Sequence, residues 1–196
     1  MDVVAHLVEL LCERNQTVAT CESLTAGLAA ATIAGVPGAS AVLRGGLVTY
    51  ATDVKVHLAG VDPTTIETHG VISGYCALEM AHGAQRRLDA DWAVAFTGVA
   101  GPDRQDNHPV GEVWAAIVGP NDIEHYWQVT ESSMDLEQAP RVLSGNREAI
   151  RRRTVELVLA RLAEHVAKLP ATPLGRIAIT DLLAWEQKQA EKRWDK

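Results

Sequence analysis

Apolar positions recur along this chain with two spacings, and the alternation between them sets out the elements. Val4, Leu7 and Leu11 fall on one helical stripe that Asp2 can cap and Asn15 can stop, so residues 2–14 are predicted helical. Thr17 to Cys21 is short, β-branched and mostly apolar, the composition of an interior strand. Leu24 to Ala34 is rich in Ala and Leu and is expected to turn helical at once. It ends at Gly35, before the turn-rich Val36-Pro37-Gly38-Ala39-Ser40. Val42 to Tyr50 reads as a second strand, with Gly45-Gly46 marking a bulge or a close backbone approach.

Asp53 is expected to cap a short helix that contains Lys55 and Leu58 and closes at Gly60. Asp62-Pro63 starts another, with proline at the first helical position, and it should end near His69-Gly70. Ser73 caps the next helix, which runs to about Leu88. Trp92 to Thr97 is apolar enough to be a third strand buried on both faces. A loop from Gly98 to His108 leads to a fourth strand, Val110 to Val118. Pro120-Asn121-Asp122 is a tight turn, so Ile123 to Thr130 pairs antiparallel as a fifth. Residues 131–144 carry no readable period. Asn146 opens a long helix to about Lys168, with Ile150, Leu157, Val158, Leu162 and Val166 on one face.

Helices between most strands, plus one hairpin, predict an α/β fold: a three-layer α/β/α sandwich with a mixed five-stranded sheet. One domain is expected over residues 1–168. Pro170 and Pro173 then break the chain, and residues 169–196 form a helical tail. Its helix, Thr180 to Trp194, carries Leu182, Leu183, Ala190 and Trp194 on one side and is expected to dock on this subunit or a neighbour.

Composition narrows the function. Lys and Arg number 18 against 25 Asp and Glu, a formal charge of −7, which opposes a general nucleic-acid-binding role. Cys12, Cys21 and Cys76 are odd in number, lie in apolar segments and share no zinc spacing, so they read as buried free thiols of a reducing compartment. With no basic start and no apolar run of membrane-spanning length, a cytoplasmic protein with no membrane association is expected. His69, His82 and His108 are not at metal-ligand spacing and H-E-x-x-H is absent, so no metal is expected.

The candidate chemistry gathers where the first strand meets its helix, at Glu22 and Ser23. Two readings of Ser23 stand. It is the helix N-cap, or it is a nucleophile whose neighbouring free N–H groups suit a developing oxyanion. Glu22 likewise either orients a site or holds Lys55, or it offsets the helix dipole. Thr97 and the loop Gly98 to Gly101 follow a strand end, where open α/β sheets tend to bind ligands. Arg147 is either a phosphate partner or a surface ion pair, and Arg151 to Arg153 read mostly as a solvated face.

Several segments together carry a resemblance. Cys21-Glu22-Ser23-Leu24-Thr25-Ala26-Gly27 resembles the C-E-S-x-T-x-G segment of the CinA C-terminal domain family, the nicotinamide-nucleotide amidases. Gly45-Gly46-Leu47-Val48-Thr49-Tyr50 with Lys55, Leu58 and Gly60-Val61 is similar to that family's second block, and His69-Gly70-Val71-Ile72-Ser73 to its third. Thr97-Gly98-Val99-Ala100-Gly101-Pro102 with Pro109-Val110-Gly111 resembles its glycine loop, and Gly145-Asn146-Arg147 with Ile150-Arg151 its last block. The likeness covers roughly residues 3–166. It implies a homodimer with this fold, competence-damage-inducible relatives, and a cofactor-free hydrolase of pyridine nucleotide salvage. The implied reaction converts nicotinamide mononucleotide to nicotinate mononucleotide and ammonia.

The resemblance implies Ser23 as nucleophile, Lys55 as its base, and Tyr50 as a hydroxyl that helps keep Lys55 uncharged. Substrate contacts are expected from Glu22, Leu24, Thr25, Thr97, Gly98, Gly101 and Arg147, and oxyanion donors from the N–H groups of Ser23 to Thr25. The chain departs from the pattern at Asp103-Arg104-Gln105-Asp106-Asn107-His108, where the family has a glycine pair and a lysine. Arg104 is a candidate to replace that lysine's charge. Two alternatives follow from this departure: a nucleotide-binding or regulatory protein with little or no turnover, and an amidase for another small amide.

Overall fold

A computed structural model describes residues 2–131 and 142–169 of the chain; the tail helix expected at residues 180–194 lies outside the described residues. Helix α1 (Val3–Arg14) is capped by Asp2 and closed by Asn15 in a left-handed conformation. Strand β1 (Val18–Glu22) is buried along its whole length. Helix α2 (Leu28–Ala34) starts four residues later than the Ala and Leu content suggested. The intervening turn puts Ala26 and Gly27 at φ 51° and 94°, outside the helical region. Strand β2 (Leu43–Val48) follows a short 3₁₀ turn.

Helix α3 (Thr52–Val54) continues into a π-helical turn over Lys55–Ala59 that Gly60 closes at φ 74°. Its N-cap is Ala51, not the expected Asp53. Helices α4 (Pro63–His69) and α5 (Gly74–Leu88) begin at the expected caps, Asp62 and Ser73. Strand β3 (Trp92–Gly98) is followed by β4 (Val113–Gly119) and β5 (Ile123–Gln128), and helix α6 (Arg147–Lys168) is capped by Asn146. Strand β4 starts three residues later than expected, because Gly111 turns at φ 88° to bring its carbonyl onto the Leu143 N–H.

The strands form one five-stranded sheet in the order β2-β1-β3-β4-β5. β1 lies parallel to both β2 and β3, whereas β4 and β5 are antiparallel, so the sheet is mixed as predicted. The Gly45-Gly46 signal is accounted for twice. The register slips between Val18 and Ala19, leaving Arg44 as the extra residue of a bulge. A Cβ on Gly46 would also stand 2.6 Å from Thr20 Oγ1.

Alternate residues of the central strands serve different layers. Trp92, Val94 and Phe96 of β3 with Val113 and Ile117 of β4 pack against α1, α2 and α6. Ala93, Ala95 and Ala116 face α5 and the π-helical turn. The chain leaves β1 to build β2 on one side and later β3 on the other. The carboxyl ends of β1 and β3 therefore flank the switch point, where doubly wound sheets leave a crevice.

Candidate active site

Ser23 is the first residue beyond β1, and its N–H still belongs to the sheet, bonding Phe96 O at 3.1 Å. It is not the N-cap of α2. Glu22 does that work from inside the protein: fully buried, its carboxylate accepts from the N–H groups of Gly27 (2.9 Å), Ala29 (3.0 Å) and Ala30 (2.9 Å) and from Thr20 Oγ1 (2.9 Å). An anion at a helix N-terminus satisfies orphan donors and the helix dipole together. Glu22 thus stabilises the turn that presents Ser23. Glu22 does not line the cleft described below; its carboxylate is taken up by Thr20 and the start of α2.

Lys55 enters from the opposite layer. Its π-helical turn packs so closely on α5 that a Cβ at Gly83 would overlap the Ala59 carbonyl. Lys55 is only 2% exposed. Its Nζ lies 2.8 Å from Ser23 Oγ, 2.8 Å from Thr49 O and 3.3 Å from Tyr50 O. A neutral amine has two N–H donors and one lone pair. The two carbonyls can take the donors, which leaves the lone pair for the Ser23 hydroxyl proton.

Burial pushes the Lys55 pKa down, since the charged form is the one that loses its hydration. The neighbouring thiols do not reverse this. Burial drives Cys21 up to about 11 and Cys76 up to about 12, so neither is an anion at neutral pH. Both are buried free thiols; Cys12, expected to be buried, sits at the surface.

The cleft beside this pair encloses about 620 Å³, counting its open mouth. Ser23, Leu24, Tyr50, Lys55, Thr97, Gly98, Gly101 and Arg147 all line it, so eight of the sequence candidates converge. Thr25 does not line it; it is fully buried and its Oγ1 has no hydrogen-bond partner. Thr97 Oγ1 donates to Val71 O at 2.6 Å, tying the end of β3 to the loop before α5.

Tyr50 differs from expectation in how it reaches Lys55. Its side chain is 53% exposed, and its hydroxyl accepts from Arg147 Nη2 at 2.8 Å, so only its backbone carbonyl meets the amine. Arg147 also donates to Gly101 O, at 2.6 Å. The altered loop contributes Asp103 and Gln105 to the cleft wall. Arg104 does not replace the missing lysine there, because it turns back to Asn107 O (2.8 Å), and His108 pairs with Glu112 at 3.0 Å.

Two further corrections concern backbone and helix. The Ser23 N–H is spent on the sheet, which leaves Leu24 and Thr25 as the N–H groups without a protein acceptor among the described residues. Arg151 is no solvated side chain. It donates to Leu24 O at 3.0 Å and Thr25 O at 2.7 Å. Its place four residues after Arg147, on the same helix face, was the available signal. Among the described residues no helix is long and apolar enough to cross a membrane.

Comparison with known proteins bears on family and fold. The chain is 46% identical over 112 residues to a protein of Listeria welshimeri named as a competence-damage inducible protein, covering 57% of this chain and 27% of that one. It is equally identical, over 112 residues, to a CinA-like protein of Frankia casuarinae, covering 57% and 26%. The match therefore spans about a quarter of the length of these relatives. Among solved structures, a CinA superfamily protein from Klebsiella pneumoniae superposes with TM-score 0.76 at 26% identity, covering 85% of this chain and 97% of that one. A competence/damage inducible protein from Agrobacterium tumefaciens gives 0.72 at 32% identity, covering 85% and 96%. The family model described as the CinA C-terminal domain matches residues 1–166. By sequence and by fold, this chain belongs to the CinA C-terminal domain family.

Proposed function

We propose that this chain is a metal-independent amidohydrolase that deamidates nicotinamide mononucleotide to nicotinate mononucleotide and ammonia. The observation that carries the reading is the buried Lys55 amine 2.8 Å from Ser23 Oγ, in a cleft that Thr97, Gly98, Gly101 and Arg147 also line.

Neutral Lys55 takes the Ser23 proton as Oγ attacks the carboxamide carbon. The carbonyl π electrons move onto oxygen, and the Leu24 N–H, on the residue after the nucleophile, receives that charge. The lysine ammonium returns the proton to the amide nitrogen, the C–N bond breaks, and ammonia leaves an acyl-serine. Water, deprotonated by the same amine, attacks the ester; the acid product departs and Ser23 regains its proton. Arg147 would turn from Tyr50 and Gly101 toward the substrate phosphate. The homodimer and the cytoplasmic setting implied by the resemblance belong to the same proposal.

One observation favours a second reading. Asp103 puts a carboxylate on the cleft wall, which opposes a phosphate and would suit a nucleotide-binding protein with weak turnover. Ammonia release from nicotinamide mononucleotide decides between them. The amidase reading expects turnover that Ser23→Ala abolishes while thermal unfolding stays unchanged. Ligand-induced stabilisation without ammonia would favour the second, and ammonia only from other amides would reassign the substrate.

A further inference from the structure

Of three consecutive arginines on α6, only the first turns inward. Arg152 pairs with Glu148 at 2.8 Å, and Arg153 with Glu156 at 2.9 Å and Glu131 at 3.2 Å. Arg151 forms no ion pair with a carboxylate among the described residues. Its guanidinium spends two donors on the carbonyls of Leu24 and Thr25, the two residues after Ser23.

We propose that Arg151 is a positioning residue for Ser23 chemistry, holding the peptides after the nucleophile so that the Leu24 N–H stays available to the oxyanion. The inference rests on the amidase reading for its setting and on the turn's own geometry for its argument. A trans peptide holds C=O and N–H in opposite directions in one plane. The peptide before Leu24 is fixed through Ser23 O, which accepts from the Ala26 N–H at 3.1 Å. The peptide after Leu24 is fixed through Leu24 O by Arg151 Nε, and the next through Thr25 O by Nη2. Leu24 is thereby clamped at both ends, and its own N–H is left without a protein acceptor.

The clamp has something to restrain. Ala26 sits at φ 51°, a left-handed conformation that disfavours a residue with a Cβ. The planar fork of arginine reaches two carbonyls at once, which a lysine ammonium on a shorter reach does less well.

The test measures the rate at which a fluorophosphonate labels Ser23, because phosphonylation needs the same nucleophile and oxyanion donors without needing the natural substrate. Wild type, Ser23→Ala, Arg151→Lys and Arg151→Gln are compared across pH, with thermal unfolding recorded for each. The expected result is at least a tenfold slower labelling in Arg151→Gln, partial recovery in Arg151→Lys, and an unchanged pH midpoint, since Lys55 is untouched. In the ammonia assay the same variants are expected to lose kcat with little change in KM.

Labelling of Arg151→Gln at the wild-type rate overturns the inference. So does a shifted midpoint with an unchanged plateau, which would make Arg151 an electrostatic influence on Lys55. Should Arg151→Gln fail to fold, Arg151→Lys carries the comparison alone: slower labelling at the same midpoint supports the proposal and wild-type labelling overturns it. Labelling without ammonia release removes the amidase reading and leaves the positioning role standing. A wild-type Ser23 that takes no label overturns both.

Discussion

The two faces of the sheet are packed in opposite ways. Between the sheet and α1, α2 and α6 lie Trp92 and Phe96 of the strands with Leu7, Ile150 and Leu159 of the helices, large side chains that hold the helices well off the strands. Between the sheet and α5 lie Ala93, Ala95 and Cys21 of the strands with Cys76 and Ala77 of the helix, small side chains that let the helix settle close. The thick face supplies most of the apolar burial. The thin face supplies proximity: it brings the π-helical turn against the sheet end, where Lys55 is dry and within reach of Ser23. Bulk and closeness are separate resources here, and the candidate site draws its reactive amine from the side poorer in bulk.

The largest expected effect tests whether the thin face carries the chemistry. Lys55→Met keeps the apolar stem and removes the amine, so ammonia release should fall by about 10²–10⁴-fold, the usual worth of a general base. Steady-state assays at neutral pH check this, and a variant within threefold of wild type would remove Lys55 from the mechanism.

Next come two core variants that set the faces against each other. Leu159→Ala on the thick face should destabilise by about 2–5 kcal/mol through a cavity, with kcat unchanged in the folded fraction. Gly83→Ala on the thin face should cost about 1–3 kcal/mol through overpacking, because its Cβ would overlap the Ala59 carbonyl. That shift moves the turn bearing Lys55, so kcat should fall as well. Denaturant titrations paired with assays separate the two; equal kcat values would dissolve the comparison.

A smaller effect follows from pH. Burial holds Lys55 below its ordinary pKa of 10.5 in the folded state. Between the folded and unfolded values the unfolded chain binds more protons, so this group makes stability rise with pH across that window. Below the window the native state bears the whole cost of a buried charge. Thermal unfolding from pH 7 to pH 10 should show a positive contribution in wild type that Lys55→Met lacks.

The smallest effect concerns Thr25. Its buried hydroxyl has no partner, so Thr25→Val should leave stability within about 1 kcal/mol of wild type or raise it, because no hydrogen bond is lost. Its activity should also be unchanged; a large loss of kcat would return Thr25 to the site, as the resemblance implied.

Much of this was legible in the chain. Asp62, Ser73 and Asn146 announced three helices, since a capping side chain acts within a few residues of itself. Gly45-Gly46 announced the bulge, and the family segments brought Ser23, Lys55, Thr97 and Arg147 onto one list before any of them shared a cleft. Other features were not legible, because they depend on groups distant in sequence. Glu22 could be read as an offset to the helix dipole, but nothing near it says that it will cap α2 from within, or that Ser23 will thereby be freed of that task. Arg151 read as a surface charge because its partners lie 126 and 127 residues away.

By itself, the sequence determined the order of strands and helices, most of their ends, and which side chains had chemistry to offer. Periodicity, capping and turn residues act over a few positions, and a string of residues displays them directly. Only the tertiary structure decided what those side chains became: an amine stripped of water, a tyrosine hydroxyl turned to Arg147 instead of Lys55, and a turn gripped from α6. Desolvation and hydrogen-bond choice are set by whatever packs from the other layers, and no local stretch of chain contains that information.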